Sequence, residues 1–559
     1  MTILTPVTLW KDFDDSLPLD EEILSERVEE GAVVREVEFS GRKTAQGRVR
    51  ISATYVTPEG AKNFPAVLVL FEAGLPMDMA LVKILLSWGY AALCVDYCGE
   101  NASGRYTRYP ADIDYANYIR AGRHLEYAEP TAKETSWYEW AGVARYAARY
   151  LSEREEVTKV GALGLRTGGE VLFKIAPYAR ISCFVSVCAA GWLAYRDIAK
   201  FAGAEQRIFD EERHRFIAGI DSQSYAPHVK CPVLLISAIN DKKYNYDRVY
   251  DTFRQINPEV EKALLFSAHG NGLVGSHSIT NVKLFFDKYL RDRAIFISEP
   301  ISLGVEEDES GNLVVRGKFD MAGEIEEYGI FYTERVNDFR TRDWTRVLGR
   351  DEDLEDGVGI IPFSIYEGTK KALVYAFAQY TNGFSVTSKI TEFDSQKKYT
   401  NSYLRSRVIY ASREDKMNGF SVFRRRARSI ADCFAVGNNS GVRLEAGYGG
   451  INGITAEAGL LSYRVSEPGF EPPEGASFRF DAYSKDGAKL KVVFYKDEEE
   501  NISYASEVTV EKGGKWKSVL FDADDFKNEL GAPMRSFEGV VSVAFFGEGG
   551  FVINNVVWL

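Results

Sequence analysis

Hydrophobic positions follow two regimes along the chain. Up to about residue 292, short unbroken apolar runs alternate with stretches whose apolar residues recur every three or four positions. Pro65 to Phe71 (PAVLVLF) is one such run, suited to a parallel strand covered on both faces. MALVKILLSWG then reads as a crossover helix and Tyr90 to Tyr97 (YAALCVDY) as the next strand. The same alternation predicts strands at ISCFVSVCAAG, CPVLLISAIND and KALLFSAHG. Helices are expected around Glu205 to Ala218, over Asp247 to Ile256 and in SITNVKLFFDKYLRD. Ahead of them, LWKDFDDSLPLDEEILSERVEEG is polar and turn-rich, while VVREVEFSG and RVRISATYVTPEG alternate as strands. The helix in WYEWAGVARYAARYLS is expected to start at a capping box of Ser136 and Glu139.

From about Ala294 the period drops to two and helical patterns nearly vanish. GNLVVRGKFD, EYGIFYTE, VGIIPFSIYE, ALVYAFAQYT and FSVTSKITEF predict a β-sandwich over 293–398. SFRFDAYS, KLKVVFYK, WKSVLFDA, VVSVAFFGE and FVINNVVWL predict another over 399–559, with the even strand spacing of a jelly roll. The fold class is therefore α/β plus all-β, with an α/β unit over 1–292. Between 99 and 134 that unit is interrupted by a tyrosine- and arginine-rich excursion, read as a cap or site wall.

One stretch organises the α/β unit. In Val157 to Glu170 (VTKVGALGLRTGGE) a buried strand runs into a glycine-crowded turn and then a helix. That is the pattern of a nucleophile elbow, G-x-S-x-G, whose glycines permit a sharp bend and close helix–strand packing. The tip of such a turn holds a hydroxyl or thiol nucleophile, but here it holds Arg166. A guanidinium stays protonated, offers only donors and cannot attack a carbonyl.

Composition narrows the setting. The 559 residues suggest three or four domains. A net charge of -13 argues against nucleic-acid binding. No basic n-region followed by an apolar h-region opens the chain, and no uncharged apolar stretch approaches membrane-spanning length, so a cytoplasmic protein is expected. Six scattered cysteines suit core thiols in a reducing compartment, and no ligand set for a metal or cofactor is seen. The short basic run Phe423 to Ser429 (FRRRARS) reads as a solvated patch or the partner of acidic groups in the same chain.

LWKDFD near the start, ALCVDY before the excursion, TSWYEW before the elbow and CPVLLISAIND after it carry a resemblance. Across about residues 5 to 395 the chain resembles bacterial acetyl xylan esterase-like α/β-hydrolases, in which an Ig-like β-domain follows the catalytic one. The last 159 residues resemble, more loosely, a carbohydrate-binding jelly roll. The resemblance implies a serine esterase acting on decorated carbohydrate. Three departures stand against it: Arg166 in place of serine, Phe71 to Gly74 (FEAG) in place of a histidine- and glycine-rich segment, and Asn271-Gly272 where the triad histidine is expected. The acid position is matched by Asp241.

Several chemistries stay open on these residues. Asp241 with His269, or with His277 eight residues on, offers an acid–base dyad. Thr167 is a weak nucleophile candidate whose backbone N–H is an oxyanion donor. Arg166 at a helix N-terminus suits clamping of a carboxylate (as in a uronic acid), sulfate or phosphate, or else an internal ion pair with Glu72. Tyr109 and Trp137 are candidates to line a sugar cleft, although the helical spacing of Trp137 equally suits a core. Tyr448, Tyr463, Tyr483 and Trp516 are candidates for a sugar platform on the last domain. The leading expectation is a pseudo-esterase that binds a glycan or anionic sugar, without nucleic acid or membrane. Its rivals are an active carbohydrate-processing enzyme built on Arg166, Asp241 and His269, and a structural or partner-binding protein.

Overall fold

The computed structural model describes residues 3–100, 104–196, 198–201, 209–267, 274–395, 397–423, 434, 441–498 and 500–559. Its first part is a nine-stranded mixed sheet. The strands are β1 (Glu22–Glu29), β2 (Ala32–Thr44), β3 (Gly47–Pro58), β4 (Phe64–Leu70), β5 (Ala91–Val95), β6 (Val157–Leu165), β7 (Cys183–Val187), β8 (Val233–Ala238) and β9 (Lys262–Ser267). Their order is β1-β2-β3-β5-β4-β6-β7-β8-β9. The first three are joined by antiparallel pairing, and β5 onward run parallel. The order and the strand–turn–helix after β6 are those of an α/β-hydrolase sheet. Helices α1 (Met79–Ser87), α2 (Ser136–Ser152), α3 (Thr167–Ile175) and α4 (Ser276–Arg291) cover its faces. All seven residues of β4 are buried, as its unbroken apolar run requires.

Three expectations need correction. The segment read as polar and turn-rich contains β1, an edge strand exposed along nearly its whole length, so no buried face marks it in the sequence. Helix α2 is capped by Thr135 instead of Ser136: the Thr135 side chain accepts the Tyr138 N–H at 3.2 Å. Glu139 does not close a capping box, because its carboxylate forms a bidentate ion pair with Arg42. Of the helix expected around Glu205 to Ala218, the part from Glu211 to Gly219 is described, and residues 202–208 lie outside the described residues.

Beyond residue 300 lie two antiparallel sandwiches. The first pairs a four-stranded with a five-stranded sheet over 302–394, and the second a six-stranded with a five-stranded sheet over 408–558. In the second, Phe478, Phe480 and Trp558 of one sheet interdigitate with Phe494 and Phe545 of the other. The first sandwich docks on the edge of the large sheet, where Phe266 N–H of β9 donates to Thr387 Oγ1 at 2.9 Å. Asn281 of α4 exchanges two hydrogen bonds with the Ser385 backbone, at 2.7 and 2.9 Å. A fully buried Arg342 reaches back to Asp247 in a bidentate pair of 2.7 and 2.9 Å.

The two sandwiches are joined by the turn Arg464 to Glu467. Arg464 donates to Asp343 at 2.9 Å and to Asp415 at 2.8 Å. Glu467 accepts from Thr333 Oγ1 (2.9 Å), Asp343 N (3.1 Å) and Glu334 N (3.1 Å). Burial, then the nearby charges of Asp343 and Glu334, push the Glu467 carboxyl up to about 8. An acid raised in the folded state contributes stability that is full below its unfolded pKa and is lost as pH rises through the folded one. For Glu467 that window runs from about 4.5 to about 8. The thermal midpoint of the wild type should therefore fall across this window relative to E467Q, measured by scanning calorimetry from pH 5 to 9. Parallel curves would show that Glu467 does not titrate there.

Candidate functional site

The elbow is present in full backbone detail. β6 ends at Leu165, Arg166 takes φ 52° and ψ −112°, and α3 begins at Thr167. A positive φ on a β-carbon-bearing residue costs on the order of 1–3 kcal/mol and persists only where the surroundings impose it. The glycines around it are imposed by contact. A Cβ on Gly168 would lie 2.1 Å from Leu70 O, one on Gly164 2.6 Å from the Gly168 carbonyl, and one on Gly169 2.7 Å from Ser186 Oγ. Arg166 N–H donates to Val187 O at 2.8 Å, tying the tip to β7.

The Arg166 side chain turns inward. Its residue exposure is 3 %, and the guanidinium lies 3.2 Å from Asp241 Oδ2 and 3.8 Å from Glu72 Oε2. Asp241 follows β8, and its other oxygen accepts the N–H groups of Lys243 (2.8 Å) and Tyr244 (3.0 Å). Glu72, in the loop after β4, also accepts from the Lys243 ammonium. Two cations and two carboxylates thus alternate as Asp241–Arg166–Glu72–Lys243. Three of the four are sealed from solvent, while the Lys243 side chain keeps 28 % exposure. The Tyr244 ring centroid lies 6.0 Å from the guanidinium carbon.

This arrangement occupies the place of a relay. In an elbow enzyme a short hydroxyl at the tip is connected to the acid through an imidazole. Here one long side chain runs from tip to acid, and an ion pair of 3.2 Å leaves no imidazole between them. His269 lies outside the described residues. His277 is in the first turn of α4 and lines a different cleft, between the sheet and the sandwiches.

One oxyanion-donor position is also engaged. Thr167 Oγ1 accepts Ala73 N–H at 2.6 Å, and Ala73 sits in the post-β4 loop that supplies one donor of such a hole. The Tyr97 hydroxyl lies 3.0 Å from the same Thr167 oxygen and donates to Phe71 O. Thr167 therefore staples the two halves of the hole together and presents no free hydroxyl for attack. Burial pushes the Tyr97 and Tyr244 phenols well up, so both stay protonated.

Beneath the elbow, α3 carries a second buried pair. Lys174 lies 3.8 Å from Glu170 Oε2 and 4.8 Å from the Trp137 ring centroid. Glu170 accepts from Ala190 N–H (2.7 Å) and from the Ser222 hydroxyl. Burial raises the Glu170 carboxyl and lowers the Lys174 amine. Trp137, considered as a cleft wall, is instead a core residue whose N–H donates to Leu125 O at 2.9 Å. Tyr109 is half-buried, its hydroxyl donating to Tyr97 O.

Tyr448, Tyr483 and Trp516 converge on the outside of the second sandwich. Trp516 N–H donates to Tyr448 O at 3.1 Å, and its ring centroid is 5.8 Å from that of Tyr483. Tyr448 is exposed, and the other two are half-buried. Tyr463 is not with them: it is buried on the opposite sheet, donating to Glu498 Oε2 at 3.2 Å. The basic run at 424–429 lies outside the described residues. Among the described residues no group of three or more His, Cys, Asp or Glu is arranged to hold a metal ion. No helix among them is long and apolar enough to cross a membrane.

Lys243 and the Ala73 N–H were not apparent in the sequence. The only trace of Lys243 is the double lysine following Asp241, which reads as a solvated pair.

No family model matches the chain, and no curated protein matches it. Solved structures of acetyl xylan esterases and other α/β-hydrolase esterases are similar to about half of it. Acetyl xylan esterase 1 from Thermoanaerobacterium sp. JW/SL YS485 is 19% identical over 47% of this chain and 87% of its own, with a TM-score of 0.38. The acetyl xylan esterase from Paenibacillus sp. R4 is 17% identical over 49% and 90%, with a TM-score of 0.37. Est1E from Butyrivibrio proteoclasticus, bound to ferulic acid, is 12% identical over 44% and 95%, with a TM-score of 0.30.

Removing one member of a buried ion pair leaves its partner uncompensated, at about 3–5 kcal/mol. R166M should destabilise by that order, read as a lowered denaturation midpoint. Adding E72Q and D241N to R166M should recover most of the loss. Equal stability of R166M and wild type would show the pair to be dispensable.

Proposed function

We propose that this chain is a carbohydrate-associated α/β-hydrolase-fold protein that has lost the serine esterase mechanism and works by binding. The observation that carries the loss is the buried Arg166 at the elbow tip, ion-paired to Asp241, the residue matching the acid position. Nucleophile, base and oxyanion donors must act together for acyl transfer. At this elbow the first is a cation, the line to the acid is filled, and the Ala73 donor is held by Thr167. An anionic sugar at Arg166 would have to displace two internal carboxylates, so the sequence-level clamp is not favoured.

Carbohydrate association rests on the resemblance across residues 5 to 395 and on the convergence of Tyr448, Tyr483 and Trp516, which would give a polymer a surface contact. On this reading the chain divides at 1–292, 293–398 and 399–559, with the sandwiches of Ig-like and jelly-roll type. Cys94, Cys98, Cys183 and Cys231 are buried free thiols, which suits the reducing interior of a cell.

The test has two arms. Against p-nitrophenyl acetate and acetylated xylan, wild type should hydrolyse no faster than D241A, and a fluorophosphonate should leave the elbow unlabelled. On a glycan array the full chain should retain a defined set of carbohydrates. Hydrolysis above background that is lost in D241A would overturn the loss of mechanism. An array with no binding would overturn the carbohydrate assignment.

A further inference from the structure

A cleft lies where the sheet and the two sandwiches meet. Its volume is about 690 Å³, within the roughly 300–1,000 Å³ of small-molecule sites. It opens at the C-terminal end of β8, the side of a parallel sheet on which ligands collect. Ile239 and Asn240 of the loop after β8, Phe331, Trp344 and Phe377 of the first sandwich, and Tyr463 of the second form its walls.

The backbone turns over between Asn240 and its neighbour. Asp241 points into the closed elbow, whereas Asn240, at φ 61°, lines the cleft. Asn240 Nδ2 donates to Arg342 O at 2.7 Å, which fixes the amide plane. Its Oδ1 has no hydrogen-bond partner among the described residues, although the side chain is only 6 % exposed. A buried amide oxygen without a partner costs free energy unless something donates to it.

The charges of the lining select the class of donor. Four carboxylates (Glu327, Asp343, Glu414, Asp415) face three cations (Arg342, Arg346, Lys416). Arg342 is already neutralised by Asp247, and Arg346 pairs with Glu327 while lying 4.8 Å over the Phe377 ring. Among the described residues the lining carboxylates outnumber the cations, with Lys416 the cation outside these pairs, so the balance of charge disfavours an anionic ligand. Aromatic walls stack on the C–H faces of a sugar ring, and the buried acceptor requires a hydroxyl or amide hydrogen.

We propose that this interdomain cleft binds a short neutral oligosaccharide, with Asn240 Oδ1 accepting a sugar hydroxyl and Trp344 and Phe377 flanking the ring. The proposal rests on the carbohydrate reading above and locates the sugar away from both the elbow and the Tyr448–Trp516 surface.

The full chain is titrated calorimetrically with xylotriose, cellotriose and mannotriose, and with trigalacturonic acid as the anionic counterpart. At least one neutral trisaccharide should bind, and the acidic one should bind at least tenfold more weakly. N240G, which tolerates the positive φ, should weaken binding at least tenfold, with its fold checked by circular dichroism. M417R, on the half-exposed rim, should block entry without touching the core. W516A, on the opposite sheet, should bind as wild type does. Wild-type affinity in both N240G and M417R would overturn the cleft assignment while leaving the carbohydrate reading standing, as would loss of binding in W516A alone. A positive glycan array with no trisaccharide binding would also overturn the cleft alone. Failure of both assays would remove the two together.

Discussion

Everything in the first half of this molecule turns on a guanidinium held at a strained turn and surrounded by carboxylates. Arg166 is nearly sealed from water, where an isolated charge is several kcal/mol too costly to keep. Asp241 and Glu72 make it tolerable, and each of them would be equally costly alone. The dependence continues outward: Asp241 is oriented by the Lys243 and Tyr244 N–H groups, and Glu72 is shared with the Lys243 ammonium. The departure from a serine centre is therefore not one residue. Tip, loop after β4 and loop after β8 form a set whose members are compatible only with one another.

The second feature of the closed centre is that it uses the geometry of an active one. The elbow keeps its positive φ and its three glycines in forced contact. The Ala73 N–H lies where an oxyanion donor would, but it meets Thr167 Oγ1. A hydroxyl supplied by the protein has taken the role of the substrate oxygen. A donor that meets a fixed acceptor gains nothing from a developing charge, which supports the proposed loss of the esterase mechanism.

Backbone-determined features were legible in the sequence and side-chain destinations were not. The elbow could be read because Gly164, Gly168 and Gly169 answer to steric contact, which leaves a fixed pattern. The apolar run of β4 was legible for the same kind of reason. Strand β1 was not, since an exposed edge imposes no alternation. Thr135 could not be told from Ser136 as the cap, because both carry the required oxygen one residue apart. The pairing of Arg166 was read as Glu72, whereas the shorter distance is to Asp241. A residue 75 positions away is brought in by the parallel order of β6, β7 and β8, which local pattern does not contain. Trp137 looked like a possible wall because an aromatic on a helix has no intrinsic side. Only packing under α3, with Lys174 across its face, assigns it to the core.

The loop after β8 shows how the three parts are mechanically joined. Asn240 holds the first sandwich through Arg342 O, Asp241 holds the elbow, Lys242 pairs with Glu498 of the second sandwich, and Lys243 holds Glu72. Four consecutive side chains thus fasten four different elements. Any displacement of Asn240 would be passed through one peptide unit to Asp241, whose carboxylate belongs to a buried ion pair that tolerates little lengthening. The cleft wall is consequently tied through the backbone to the closed centre beside it. On the proposed binding reading, a preorganised acceptor of this kind loses little freedom when a ligand arrives.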